Sequence, residues 1–256
     1  MTAPSSPPSD TKASALDLPE GEEKARAVQA MFDTIAPRYD LVNRIMTFRM
    51  DVGWRRRAVR SLDLGPAATV ADLACGTGDL CRALTAAGYR PVGLDFSLGM
   101  LRHARTAAPL AAADALHLPL GDDAVDGVVS GFALRNFVSL DAVFAELGRV
   151  VRPGGRIALL DVDAPANPVL RIGHSVYFGR VVPRVGALLS DAAAYRYLPK
   201  SVAYLPPTAS MLASLAASGF GAIQRRQLSG GIAQLITATR RVESQDGGHL
   251  GVVADL

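Results

Sequence analysis

Val70-Ala71-Asp72-Leu73-Ala74-Cys75-Gly76-Thr77-Gly78-Asp79 is the stretch on which the fold turns. A short apolar run ends on two glycines one residue apart, and residues 80–87 then place apolar side chains at helical spacing. Strand, tight turn and helix make the first half of a βαβ unit. Glycine suits such a turn because no Cβ stands between the backbone and a ligand brought against it. Alone, a Gly-x-Gly turn fits any α/β protein, so its surroundings decide the reading.

Outward from this turn the same alternation recurs. Apolar runs that stop at Gly or Asp predict strands over 69–74, 90–95, 111–113, 125–131 and 156–162, with helices over 80–87, 97–106 and 140–151 between them. Arg152-Pro153-Gly154-Gly155 reads as the stop of the last helix. A helix over 209–218 and strands over 222–228 and 232–239 complete the sheet, giving an α/β fold with a doubly wound, largely parallel sheet. Residues 22–62 read as two or three helices, and the insertion 165–207 holds most of the tyrosines, Tyr177, Tyr195, Tyr197 and Tyr204 among them.

The 256 residues are enough for one filled core, and 49% hydrophobic with 20% charged residues is a globular composition. Residues 1–24 are Ser- and Pro-rich with few large apolar side chains and read as a disordered tail; 241–256 read as a flexible tail, leaving one domain over 25–240. A net charge of +3 is too small and dispersed for a nucleic-acid partner, and Arg55-Arg56-Arg57 reads as a solvated helix face. There is no signal peptide and no uncharged apolar span, so a cytoplasmic chain is expected, whose membrane contact, if any, is peripheral. Cys75 and Cys81 fit neither a zinc spacing nor a disulfide framework, and no metal is expected.

A dinucleotide fingerprint requires a third glycine where Cys81 stands, and Asp79 would repel a diphosphate at the helix N-terminus. S-adenosylmethionine carries an ammonium and a sulfonium instead, and acids at Asp72 and Asp79 match it, although Asp79 is equally a helix cap. The second predicted strand ends at Asp95, followed by Phe96, where a carboxylate can accept both ribose hydroxyls. The third ends at Ala113-Asp114-Ala115, suited to an adenine amino group, and the fourth at Ser130. The candidates that the residues themselves offer for this cofactor are Asp72, Gly76, Gly78, Asp95, Phe96 and Asp114.

Further segments carry a more specific signal. They are Phe32-Asp33-Thr34-Ile35-Ala36, Tyr39-Asp40, Trp54-Arg55-Arg56, Leu134-Arg135-Asn136, Arg149-Val150-Val151-Arg152-Pro153-Gly154-Gly155, Tyr195-Arg196-Tyr197-Leu198-Pro199 and Ser229-Gly230-Gly231-Ile232. With them the chain resembles the ubiquinone and menaquinone biosynthesis C-methyltransferase family from about residue 31 to 239. The resemblance implies a seven-stranded methyltransferase sheet with one antiparallel edge strand, S-adenosylmethionine as methyl donor with Thr77, Asp95, Asp114, Ala115 and Ser130 as its contacts, and a lipid quinol as acceptor, demethylmenaquinol first. Arg49, Asp51, Leu160-Asp161-Val162-Asp163, His174 and Ser175 depart from the family pattern, all on the acceptor side. A polyprenyl-methoxybenzoquinol, or a small aromatic or polyketide acceptor, therefore stays open, as does a homodimer.

Methylating a quinol carbon requires loss of the phenolic proton, and four residues are candidates to assist. Arg135 would place positive charge beside the phenolate and Asn136 would orient the ring oxygen; the alternatives are that Arg135 pairs with an acid and that Asn136 caps the helix near Leu140. Asp51 and His174 are candidate bases. The insertion 165–207, with the helices before residue 62, is expected to form an apolar lid over the acceptor.

Overall fold

The computed structural model describes residues 20–165, 167–182, 184 and 201–242. Three helices come first, α1 (Gly21–Ile35), α2 (Tyr39–Met46) and α3 (Met50–Ser61). The α/β part follows as β1 (Thr69–Leu73), α4 (Asp79–Ala86), β2 (Arg90–Asp95), α5 (Leu98–Arg102), β3 (Leu110–Ala112), β4 (Val125–Gly131), α6 (Leu140–Val150) and β5 (Val151–Val162). Then come α7 (Pro168–Val176), α8 (Thr208–Ala217), β6 (Phe220–Leu228) and β7 (Ala233–Arg240).

The seven strands lie in the order β3-β2-β1-β4-β5-β7-β6. All neighbours from β3 to β5 are parallel, and β7 is antiparallel to both β5 and β6. The antiparallel strand is thus second from the edge and not the edge itself: β6 crosses to the outside and β7 turns back into the gap beside β5. Chain order reverses at β1, which pairs with β2 on one side and β4 on the other, so a crevice opens beyond its carboxyl end.

Period-two alternation on β5 sends Ile157 and Leu159 to one face with Phe144, Leu147 and Phe220, and Ala158 and Leu160 to the other with Trp54, Leu62 and Leu84. Both faces are covered, as a parallel sheet requires. The helix stop expected at Arg152-Pro153-Gly154-Gly155 is there, with α6 ending at Val150, but the run itself lies in a strand. Helix α6 passes directly into β5, and the Pro-Gly-Gly forms an irregularity opposite Val125 and Gly127, with Gly154 at φ +76°. Ser139 caps α6, its hydroxyl accepting from Ala142 N at 3.2 Å, which removes the capping alternative for Asn136.

Helix α1 begins at Gly21, inside the stretch expected to be a tail. Lys24 anchors it, donating to Phe137 O at 2.7 Å and lying 3.7 Å from the Tyr204 ring centre. Burial lowers the Lys24 ammonium to about 8. Of the insertion, α7 continues into a π-helical turn at Tyr177–Val181, while Tyr195 and Tyr197 lie outside the described residues.

Candidate active site

Two cavities open at the carboxyl end of the sheet. The first, of about 940 Å³, is walled by Ala74 and Gly76 after β1, Asp95 and Phe96 after β2, Asp114 and Ala115 after β3, and Gly131 and Phe132 at the end of β4. Asp95 ties two of these walls together, accepting from Gly76 N at 2.7 Å and from Ser97 N at 2.8 Å, while burial raises its carboxyl above the ordinary range. Gly76 has φ +55°, and a Cβ there would meet no protein atom, so the turn leaves open space for a ligand. Gly78, at φ +82°, is required for another reason: a Cβ would fall 2.7 Å from the Thr106 Cγ2.

Asp72, in β1 just ahead of the turn, is fully buried and does not itself wall the cavity. Its Oδ2 accepts from Cys81 N at 3.0 Å, and Oδ1 has no protein partner. An orphaned carboxylate oxygen just ahead of an open glycine turn fits a cationic ligand such as the ammonium of S-adenosylmethionine. Desolvation pushes the Asp72 carboxyl up to about 7. Between 3.8 and about 7 the folded chain therefore holds a proton that the unfolded chain has lost, and stability should fall as pH rises through that window. In Asp72→Asn the melting temperature should lose this slope; parallel pH profiles for variant and wild type would show that Asp72 does not ionise there.

Asp79 and two of the expected cofactor contacts, Thr77 and Ser130, have side chains engaged by the scaffold. Asp79 does not face the cavity: Arg44 lies 3.0 Å away, Arg55 3.6 Å, and Arg82 pairs with it directly. It is no helix cap either, because Gly78 occupies that position. Thr77 donates its hydroxyl to Asp40 at 2.5 Å, and Ser130 donates to Leu73 O at 2.8 Å. The N-terminal helices, to which the sequence assigned no such role, close this cavity. Asp33 on α1 accepts from Ser97 Oγ at 2.5 Å and Gly99 N at 2.8 Å, and Gln29 donates to Phe96 O at 2.9 Å. Gly99 permits the approach, since its Cβ would lie 2.7 Å from the Asp33 Cα.

The second cavity, of about 1590 Å³, lies under α1, α2, α3 and α7 and is walled by Ile35, Phe48, Trp54, Leu170, Tyr177 and Ile232 among others. Asp51 and Arg135 both reach it. Asp51 is buried, accepts from Thr47 Oγ1 at 2.7 Å and pairs with Arg55. Arg135 pairs with the fully buried Asp161 and donates through Nε to Ser201 Oγ at 3.1 Å. Asn136 borders the first cavity and not the second. His174 sits on α7, with its side chain outside the described part of the structure.

Phe32, Tyr39 and Phe132 wall both cavities, so ligands in the two would meet there. Phe132 is held at φ +64°, a conformation that an aromatic residue rarely adopts. Tyr39 is half-buried, desolvation raises its hydroxyl, and it was not among the expected site residues. Its signal lay in the Tyr39-Asp40 segment, whose spacing carries no chemistry by itself.

The fold is shared with a methyltransferase from Haloferax volcanii solved with the Trm112 methyltransferase activator, at 17% identity and a TM-score of 0.60 over 82% of this chain and 98% of that one. It is shared also with Haemonchus contortus phosphoethanolamine N-methyltransferase 2 in complex with S-adenosyl-L-methionine, at 13% identity and a TM-score of 0.55 over 73% of this chain and 52% of that one. Sequence relatives are nearer. A demethylmenaquinone methyltransferase of Thermus thermophilus is 42% identical over 221 residues, 82% of this chain and 100% of that protein. The ubiquinone/menaquinone biosynthesis C-methyltransferase UbiE of Syntrophotalea carbinolica is 40% identical over 219 residues, 82% of this chain and 92% of that protein. Matching the family over residues 20–240, the chain belongs to the ubiE/COQ5 methyltransferase family.

Proposed function

We propose that this methyltransferase methylates a ring carbon of a prenylated quinol, demethylmenaquinol first among them, with S-adenosylmethionine held in the first cavity and the quinol in the second. The observation that carries the reading is the meeting of an acid-lined cavity and a large apolar one at Phe32, Tyr39 and Phe132. The names of the relatives point the same way. S-adenosylmethionine supplies an electrophilic methyl group on a sulfonium. Asp95 and Asp114 would take its ribose and adenine polar groups, and Asp72 would offer the free Oδ1 toward its positive end.

The acceptor cavity suits a prenyl chain better than a small aromatic, because its wall is mostly apolar and its volume exceeds that of the first cavity. Arg55 and Arg135 stand on its wall, paired with Asp51 and Asp161, and their guanidinium groups would favour the phenolate over the phenol. Burying both reactants against Tyr39 and Phe132 excludes water and fixes their approach, which supplies most of the rate enhancement in reactions of this type.

Incubating the chain with methyl-labelled S-adenosylmethionine and a panel of demethylmenaquinols, a methoxybenzoquinol and small phenols tests this directly. Label is expected in the lipid fraction, with demethylmenaquinol the best acceptor. Transfer to water-soluble phenols alone would overturn the quinol assignment.

A further inference from the structure

Seven of the eleven exposed large apolar side chains among the described residues fall on two elements, Leu41, Ile45 and Phe48 on and just after α2, and Val169, Leu170, Ile172 and Val176 on α7. Phe48 is 73% exposed and Val169 77%. The two groups form one surface. Phe48 packs against Tyr177 with ring centres 5.9 Å apart, and the Tyr177 hydroxyl donates to Met46 O at 2.8 Å. Phe48, Val169 and Leu170 also wall the acceptor cavity, so this apolar surface is its outer rim.

Every exposed charge within these segments is positive. From Tyr39 to Leu62 the acids are Asp40, half-buried and accepting from the Thr77 hydroxyl, and Asp51, buried and paired with Arg55; from Ala164 to Arg184 there is none. Arg49, Arg56, Arg171 and Arg180 are exposed. Isolated apolar residues on a surface need no explanation, but a contiguous patch with a cationic collar does. Two such collars facing each other across a dimer interface would repel, whereas an anionic surface would neutralise them. Among the described residues no helix is long and apolar enough to cross a membrane, so α2 and α7 would lie in the interface.

We propose that this face docks on an anionic lipid bilayer, with Leu41, Ile45, Phe48, Val169 and Ile172 entering the acyl boundary and the arginines resting among the headgroups. The acceptor cavity then opens onto the membrane, and its substrate enters without crossing water. This proposal rests on the quinol reading for its purpose, but its test is independent of methyl transfer.

The test is cosedimentation of the full chain, without quinol or methyl donor, with vesicles of phosphatidylcholine alone and of phosphatidylcholine mixed with phosphatidylglycerol. Binding to the mixed vesicles is expected, weakening with salt. Ile45→Ser/Ile172→Ser should weaken binding to both kinds, on the order of tenfold for each side chain lost. Arg49→Glu/Arg171→Glu should weaken binding to the anionic vesicles on the order of fivefold or more per arginine and leave the neutral ones unaffected. None of the four residues walls either cavity, so methylation of a short-chain, water-soluble quinol should be unchanged in both variants. The proposal fails if wild type ignores every vesicle or if the variants bind as well as wild type. It fails equally if the chain is a dimer that the serine variant dissociates, since the face is then covered by a second copy.

Discussion

Replacing Arg135 with alanine is expected to cost about 3–5 kcal/mol of stability, because it leaves the Asp161 carboxylate buried and unpaired. The same change takes a cation from the wall of the acceptor cavity, so activity in the single variant would fall for two reasons at once. A second variant separates them. In Arg135→Met/Asp161→Leu both charges leave together, and apolar replacements of similar volume at a buried ion pair are often neutral or stabilising. If the Arg135 charge stabilises the phenolate, the double variant will melt near the wild-type temperature yet turn over on the order of a hundredfold more slowly, with cofactor affinity retained. An acceptor with a more acidic phenol should then recover part of the rate, since it needs less help to ionise. Turnover that returns together with stability would make Arg135 a structural residue and leave Asp51, on the same cavity wall, as the remaining described candidate for the base.

The strands were legible in the sequence because alternation and Gly/Asp endings are local signals. The bounds of β2 and β4 match the sequence expectation residue for residue. Arg152-Pro153-Gly154-Gly155 follows the end of α6 as expected, but a Pro-Gly-Gly run marks a backbone irregularity without saying that a bulged strand contains it. The glycine turn and Asp95 were legible for the same local reason. Asp79 was not: its charge is neutralised by Arg44 and Arg55, distant in sequence, and no spacing rule brings them together. Thr77 and Asp40 likewise meet across 37 residues. The covering of the first cavity by α1 could be found only from tertiary contact, because no local spacing ties Asp33 and Gln29 to the chain just after β2.

Asp95→Ala is expected to lower affinity for S-adenosylmethionine by a hundredfold or more while the chain stays folded. Two effects act in the same direction. The ribose loses a charge-assisted partner, about 1.5–3 kcal/mol for each hydrogen bond to a charged group. The glycine turn loses its tie to β2, because Gly76 N and Ser97 N both donate to this one carboxylate. Global stability should change much less, since the carboxylate is destabilised by its own burial and removing it relieves that cost. Asp95→Asn removes the charge but keeps part of the tie: the amide can accept from one of the two backbone groups but presents a donor to the other, so an intermediate loss is expected. Titration calorimetry with circular dichroism on the three proteins would decide it. Equal affinity in wild type and the folded alanine variant would remove Asp95 from the site, whereas equal loss in both variants would mean that the charge, and not the tie to the turn, sets the affinity.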